Sequence, residues 1–314
     1  MAYTNTDTNM TTSSALSAGM QTYYNRELLR TFEPNLVHLQ FGDEHRMPPH
    51  SGLVMNMRKL IPLETNTKAL SEGDPGESVM LAETEVTVQL QQYGEYARCT
   101  DKLDLTHLDM DIMRRTKLFG DAGARSIDAV VREELAKCAN VIYAGGKASR
   151  AELTAADKLT SRELRKAVKT LKKNHAQTFG GYYVAIIGPD TMYDLQEDEA
   201  FVKVSQYQDK ENIYTGEVGR LFGVRLVETT EAKIFEGMGA NGADVASVIV
   251  LGQYAYGVTS LKGAKPRVIV KPAGSAGTAD PLDQISTVGW KMDGFGAKLL
   301  QPEYAVRIEC GFSA

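Results

Sequence analysis

Three glycines of the chain are spaced like those of a dinucleotide-binding loop. Gly237, Gly239 and Gly242 match the pattern G-x-G-x-x-G, which binds a pyrophosphate where a strand precedes the glycines and a helix N-terminus follows them. Here the apolar run ADVASVIVL follows, and it predicts a strand. A phosphate would therefore lack the helix N-terminus that binds it. We interpret the segment as a glycine-rich loop, and the sequence predicts no cofactor.

A short acidic stretch offers ligands for a divalent cation. It contains Asp101, Asp104, His107, Asp109 and Asp111. A calcium-binding loop has a central glycine that makes its sharp turn, and this stretch has none. Carboxylates are also favourable at the positive end of a helix. We therefore interpret the cluster as part of a helix start and predict no metal site.

The chain lacks the spacings that nucleophilic catalysis and zinc binding need. It contains no G-x-S-x-G sequence, the signature of one large class of serine hydrolases. Cys99, Cys138 and Cys310 are widely separated, so they form neither a zinc pattern nor a disulfide framework. Each is expected to be a small buried hydrophobe. The sequence predicts no catalytic residue and a protein that is not an enzyme.

The composition of the 314-residue chain excludes further classes of protein. Hydrophobic residues make up 43% and charged residues 24%, which are values typical of globular proteins. The net charge of −5 argues against a protein that wraps nucleic acid or binds an anionic membrane, because both need a basic face. No apolar run approaches the ~20 residues of a membrane span. The expected protein is soluble and made inside a cell.

The segment from Leu53 to Ala97 predicts a long β-hairpin. Apolar and polar residues alternate from Leu53 to Met57 and again from Thr84 to Leu90, as in half-buried strands. The residues between these strands are mostly polar and include prolines and glycines, so the hairpin should project from the body. A two-stranded ribbon is marginally stable by itself, and we expect a neighbouring subunit to support it. Residues 64–97 carry a net charge of −6.

A helix whose charge is opposite to that of the acidic hairpin is predicted further along the chain. Thr160 and Glu163 have the spacing of a capping box, and residues 157–173 carry a net charge of +5. One interpretation is a solvated helix face. The other is pairing with the acidic hairpin of another copy of the chain. The inter-subunit contact residues expected from that pairing are Glu72, Asp74, Glu77, Arg162, Arg165 and Lys169.

The remaining elements indicate mixed helix and strand. A stripe of apolar residues predicts a helix from Thr106 to Tyr143, which Gly120 and Gly123 could interrupt. It would be ~57 Å long at ~1.5 Å per residue, which suggests an elongated molecule. A flexible arm at the N-terminus is expected to lead into a short helix at residues 16–28. The other predicted elements are the strands Tyr182–Ile187, Val224–Val227, Ala246–Leu251, Arg267–Val270 and Glu303–Cys310 and a short helix from Pro189 to Leu195.

This order of elements resembles the Hong Kong 97 fold of tailed-phage major capsid proteins, and local sequences are similar to the coat proteins of the N4-like phages. They are VHLQFG, ALSEG, QYGEY, AGGKASRAELTAADKLT, YYVAIIGPDTMYDL, GEVGRLFGVRLVETTEAKIF and VGWK. None is a catalytic signature, but together they extend from the N-terminal arm almost to the C-terminus.

The resemblance implies an α+β fold with five parts. They are an N-terminal arm (residues 1–45), an extended β-hairpin loop (46–100), a peripheral domain with a long spine helix (101–159), an axial α/β domain (160–280) and a return to the peripheral domain (281–314). The implied function is a major capsid protein that self-assembles into hexamers and pentamers of an icosahedral head around double-stranded DNA.

The resemblance also implies partners and leaves alternatives open. The main partner is the chain itself, with scaffolding, portal and decoration proteins as further candidates, only non-specific contact with packaged DNA, and no membrane. The protein would be made and assembled in the host cytoplasm and would reside in the virion. One alternative is a cellular nanocompartment shell of the same fold. The other is an oligomeric α/β enzyme that binds a nucleotide at the glycine loop.

Overall fold

The computed structural model describes residues 36–48, 50–60, 67, 69, 80–81, 83–102, 112–198, 201, 220–261, 266–275 and 280–313. The predicted flexible arm and the helix at residues 16–28 lie outside these ranges. So do Glu72, Asp74 and Glu77 of the hairpin.

A seven-stranded mixed sheet forms one half of the fold. Its strands, in spatial order, are β5–β14–β10–β6–β8–β7, and β9 pairs with β10 beside β6. Their bounds are β5 Val141–Tyr143, β6 Tyr183–Ile187, β7 Arg220–Leu221, β8 Val224–Glu228, β9 Ile234–Phe235, β10 Val245–Leu251 and β14 Ala305–Cys310. Every residue of β6, β10 and β14 is buried, because helices cover both faces of the sheet.

A five-stranded sheet forms the other half. Its centre is β13, a 15-residue strand that pairs along one side with β4 and along the other with β12 and then β11. The first strand, β1, runs parallel to β11 at the edge. The bounds are β1 Asp43–Met47, β4 Gln91–Thr100, β11 Tyr256–Leu261, β12 Arg267–Lys271 and β13 Ile285–Leu299.

The two strands of the predicted hairpin are confirmed as a separate two-stranded sheet, but the predicted end at Ala97 is wrong, because residues 91–97 belong to β4 of the five-stranded sheet. Strands β2, Val54–Leu60, and β3, Glu83–Gln89, pair antiparallel from Val54 opposite Gln89 to Leu60 opposite Glu83. Only Leu90 separates β3 from β4. The hairpin is therefore continuous with the five-stranded sheet.

Three helices pack on these sheets in the described part of the chain. The helix α1 extends over Ile112–Leu135, α2 over Ser161–Lys173 and α3 over Pro189–Gln196. None of the described helices has the length and hydropathy of a membrane span.

The seven-stranded sheet separates two hydrophobic cores. In β6, Ala185 and Ile187 belong to the core beneath α2 and α3, whereas Val184 and Ile186 belong to the core beneath α1. The second core also contains Trp290 from β13. The helix α1 therefore packs against both sheets and joins the two halves of the fold.

The predicted spine helix ends earlier than the apolar stripe suggested. The helix stops at Leu135, and Cys138 lies in a turn, so the predicted end at Tyr143 is wrong. The residues from Val141 to Tyr143 form β5, which pairs with the buried β14 and for that reason is also apolar. Gly120 and Gly123 do not interrupt the helix.

The predicted arm and domain boundaries do not coincide with the sheets. Within the predicted arm, residues 36–42 pack on the core beneath α1, and β1 crosses the boundary at residue 45. In the last predicted part, β14 pairs with β10 of the predicted axial domain. The division into five parts therefore stays a prediction about assembly units, not a description of the sheets.

Candidate assembly surfaces

The base of the hairpin packs against the chain's own body. Val88 and Met57 are 2% and 5% exposed. A Cβ atom added to Gly296 of β13 would lie 2.9 Å from Val88, and one added to Gly257 of β11 would lie 2.8 Å from the Met57 sulfur. Glycine permits this close approach, because a larger residue at either position would force the neighbouring atoms to shift. The base of the hairpin is thus supported within the subunit, and the expected support from a neighbouring subunit stays a prediction.

One ion pair fastens the hairpin to the body. The Lys59 Nζ lies 2.8 Å from an Oε atom of Glu303, in the turn before β14. The hydrogen bond from Lys59 lowers the pKa of the Glu303 carboxyl. Two clefts adjoin the hairpin, one of about 590 Å³ lined by Val86 and one of about 640 Å³ lined by Gln89. Because of these clefts, the hairpin contacts the body over a narrow region.

The predicted basic face of α2 is confirmed as an exposed surface. Arg162, Arg165 and Lys169 are all exposed, whereas Leu164 and Leu171 on the opposite face are fully buried. Neither Arg162 nor Lys169 has an acidic partner in the described part of the chain, and Arg165 lies over the ring of Phe222 at 5.0 Å. The contact of this face with Glu72, Asp74 and Glu77 stays a prediction, because those three residues are not among the described ones.

The start of α2 differs in detail from the predicted capping box. Thr160 is the N-cap residue, but its hydroxyl hydrogen-bonds to the Glu163 carboxylate and not to a backbone N–H. The carboxylate of Asp198, just beyond α3, accepts a hydrogen bond of 2.8 Å from the Ser161 backbone N–H. The cap thus comes from a residue distant in sequence, which local spacing could not indicate.

The glycine-rich segment is a loop that leads into a strand, as the sequence predicts. Gly237 and Gly242 have φ values of +62° and +77°, a conformation that favours glycine. The Gly237 N–H donates to the Asp244 carboxylate at 2.7 Å, so a backbone donor that would face a phosphate is already bonded. The strand β10 follows, which gives no support to nucleotide binding.

The acidic stretch is largely outside the described residues. Only Asp101 is described, and the described part of the chain contains no group of three or more potential metal ligands. The three cysteines are buried and unpaired, as predicted. Burial raises the pKa of the Cys138 and Cys310 thiols, which disfavours the thiolate form.

Sequence reasoning missed a buried polar anchor for the segment that enters from the N-terminus. Asp128 of α1 is fully buried. One of its oxygens accepts from the backbone N–H of His38 at 2.7 Å, and the other lies 2.5 Å from the His38 ring nitrogen Nδ1. The hydroxyl of Tyr256 donates a hydrogen bond to the His38 carbonyl. The pKa of that hydroxyl is raised, mainly by its burial and to a smaller extent by the negative charge of Asp128. No local motif marks this cluster.

A second buried polar cluster that the sequence did not reveal involves the charged residues of β14. The sequence predicted this strand but not where its charged residues lie: Glu309 is fully buried and Arg307 is 8% exposed. Two Arg150 nitrogens each lie 2.7 Å from a Glu309 oxygen, and the Arg150 guanidinium lies 3.6 Å from the ring centre of Phe235. The two arginines neutralise the buried carboxylate and link β14 to the turn before α2.

The profile of the phage capsid protein family matches residues 83–308 of the 314. The chain belongs to this family. In this capsid protein the matched range includes all three described helices and nearly the whole of the seven-stranded sheet. A comparison with curated proteins finds no match.

The capsid protein is also similar to solved structures. The capsid of Ralstonia phage GP4 has a TM-score of 0.67 and 15% identity, covering 100% of this chain and 98% of that one. The capsid of cyanophage P-SCSP1u has a TM-score of 0.65 and 16% identity, covering 87% of each chain. A virus-like particle from Pyrococcus furiosus has a TM-score of 0.55 and 12% identity, covering 92% of this chain and 99% of that one. At such low sequence identity, the structural similarity shows the fold alone. The predicted Hong Kong 97 fold is confirmed.

Membership of this family defines the role of the protein. It is a major capsid protein of a bacteriophage, a structural protein of the icosahedral virion shell, in which copies of the chain assemble with one another. The family match is to phage capsid proteins in general, so the resemblance to N4-like coat proteins stays a prediction.

Proposed function

We propose that copies of this capsid protein form hexamers and pentamers of an icosahedral head that encloses double-stranded DNA. The family match over residues 83–308 carries this proposal. The projecting hairpin supports it, because both of its strands lack a third strand in the described part of the chain. Assembly in the host cytoplasm and contacts with scaffolding, portal and decoration proteins belong to the same proposal.

Electron microscopy of the purified protein tests the proposal. We expect closed shells or rings of five and six subunits in negative stain. A protein that remains monomeric over a wide range of concentration and salt, or that forms only small oligomers of another symmetry, would contradict it.

A shell made by a cell to enclose cargo is the weaker alternative. The virus-like particle from Pyrococcus furiosus shares the fold, but its TM-score is lower than those of the two phage capsids, and the family match is to phage capsid proteins. Shells isolated from the natural source distinguish the two functions. A phage head contains double-stranded DNA, whereas a nanocompartment contains protein cargo.

We further propose that the acidic hairpin of one subunit contacts the basic face of α2 on a neighbour. The hairpin residues are Glu72, Asp74 and Glu77, and the helix residues are Arg162, Arg165 and Lys169. Opposite charges set orientation and register more than affinity. The absence of an acidic partner for Arg162 and Lys169 among the described residues supports this pairing.

A charge exchange tests the contact. Changing the three hairpin acids to lysine should reduce shell yield about tenfold or more. Changing the three α2 cations to glutamate in the same chain should restore it, because the sign of each surface is then exchanged. Normal yield from the hairpin variant alone, or no recovery in the combined variant, would contradict the contact.

The five-part division is proposed for the assembled shell. In this division residues 46–100 are the extended loop, 101–159 the peripheral domain with its spine helix, 160–280 the axial domain and 281–314 the return. The exposed basic face of α2 lies in the axial part.

A further inference from the structure

Strand β4 is a long free edge of the five-stranded sheet. It has ten residues, and in the described part of the chain it pairs only with β13. Eight of its residues are exposed. They include Gly94, which has no side chain, and Ala97, whose side chain is a single methyl group, so the backbone there is not covered by large side chains. A free edge presents unpaired N–H and C=O groups that another strand can bind.

The other edges of the two large sheets carry features that oppose strand addition. Strand β12 has five residues between Pro266 and Pro272, and β1 has five residues, of which four are charged or histidine, before Pro48. At the edges of the larger sheet, β5 and β7 have three and two residues. Short strands, prolines and charges are the usual protection of an edge. Strand β4 contains no proline and no lysine.

The surface beside β4 is suited to a partner. Tyr96 is 61% exposed and Ile269 is 36% exposed, and both line a groove of about 640 Å³ between β4 and β12. The Arg98 guanidinium lies 5.7 Å from the centre of the Tyr96 ring, and one of its nitrogens is 3.3 Å from the Tyr96 hydroxyl. Exposed apolar area with a stacked arginine is typical of a binding surface.

We propose that β4 pairs antiparallel with β4 of a second copy across a two-fold axis of the shell. This rests on the proposed function, because a shell of hexamers and pentamers has local two-fold axes between neighbouring rings. A two-fold contact needs only one self-complementary surface. The strand meets that need, since its single acid, Glu95, and its single base, Arg98, leave it without net charge.

The charges and the tyrosine favour one register. When Ala97 faces its own copy at the axis, each Tyr96 lies opposite the Arg98 of the other copy. The Arg98 of each copy can then contact the Tyr96 ring of the other copy across the interface between the two strands. The two Glu95 carboxylates are not opposite each other in this register, and neither are the two Arg98 guanidiniums. A pairing centred on Glu95 would oppose like charges, which is unfavourable.

A cysteine at the two-fold axis gives a direct test. In a Cys99→Ala background, Ala97→Cys should form a disulfide-linked dimer when assembled shells are oxidised, because directly opposed strand residues have the Cα separation that a disulfide requires. Gln92→Cys on the same exposed strand is the matched control. The two copies of residue 92 would be about 30 Å apart at ~3.3 Å per residue, so no dimer is expected. The native cysteines are buried and give little background.

A second variant tests the edge without a new covalent bond. Ala97→Lys should reduce shell yield about tenfold at an unchanged midpoint of urea unfolding, because a lysine on an edge opposes strand addition. Ala97→Ser is the control and should assemble normally. Normal shells from Ala97→Lys, or shells in which Ala97→Cys forms no dimer, would overturn the edge contact and leave the proposed function intact. Failure of the unaltered chain to form shells would instead overturn the proposed function.

Discussion

Glu309 is a buried carboxylate whose charge is neutralised by two arginines. It is fully buried, and guanidinium nitrogens of Arg150 and Arg307 lie 2.7 and 2.8 Å from it. A buried charge is costly unless an opposite charge lies beside it. Removal of the Glu309 charge would therefore leave the positive charges of the two arginines without their partner.

We expect Glu309→Gln to lower the free energy of unfolding by about 3–5 kcal/mol, the usual cost of breaking a buried ion pair. The midpoint of urea unfolding measures this loss. Glu236→Gln is the control, since Glu236 is exposed and its change should cost less than about 0.5 kcal/mol. Equal losses in both variants would contradict the role of the network.

Asp128 is the second residue whose burial leads to a prediction. Asp128→Ala removes the acceptor of the backbone N–H groups of His38 and Leu39, and a buried unsatisfied donor costs about 1–3 kcal/mol. Residues 36–42 should then become sensitive to protease in the folded protein. Asp121→Ala, in an exposed pair with Arg125, is the control. Unchanged cleavage in Asp128→Ala would show that the apolar contacts of the segment suffice.

At the scale of elements, the attachment of the hairpin depends on pH. The Glu303 pKa is lower in the folded protein than its usual value of 4.5, chiefly through the hydrogen bond from Lys59. A carboxyl whose pKa is lowered on folding stabilises the folded protein at pH values above its pKa in the unfolded chain. That stabilisation is lost as the pH falls through its pKa in the folded protein. The carboxyl is 55% exposed, so the effect is below about 1 kcal/mol.

We expect hydrogen-exchange protection of β2 and β3, corrected for intrinsic rates, to fall on acidification from pH 5 to pH 3. Glu303→Gln should show less protection at pH 6 and a smaller fall, because it has no carboxyl to titrate. An identical pH profile in both proteins would exclude this ion pair as the cause.

The sequence was sufficient to predict a strand or helix where the burial of its residues produces a regular pattern of apolar residues. The run from Tyr182 to Ile187 is apolar because β6 is buried on both faces, and α2 has one apolar stripe beneath a basic face. The β13 strand was missed because glycines replace the expected side chains. A Cβ at Gly289 would lie 2.7 Å from that of Tyr96 on β4, so the reason for the glycine is a contact about 190 residues away in sequence.

The candidate surfaces likewise include one that the sequence predicted and one that it did not. The exposed cations Arg162, Arg165 and Lys169 were found because a charged helix face is a local pattern. The edge of β4 was not found, since whether a strand lies at an edge depends on the order of strands in the sheet. The buried partners of Asp128 and Glu309 come from distant segments and leave no local spacing.

At the scale of the whole molecule, the separation of charge between hairpin and α2 predicts salt-sensitive assembly. The Debye length falls from ≈ 10 Å at 0.1 M salt to 3 Å at 1 M, so exposed contacts between opposite charges weaken. Shell yield, measured by light scattering, should fall over this range. A variant with glutamine at positions 162, 165 and 169 should assemble less at low salt and depend less on salt. Equal salt dependence in both proteins would contradict the pairing.

Strands β3 and β4 are parts of one extended run of backbone, interrupted only at Leu90. The run extends from Glu83 to Thr100 and is about 60 Å long at ~3.3 Å per residue. A pull on the distal end of the hairpin is therefore transmitted along covalent bonds to the border strand of the body. In an assembled shell, a load on the ribbon would therefore reach the edge strand β4 of the same subunit along the backbone itself.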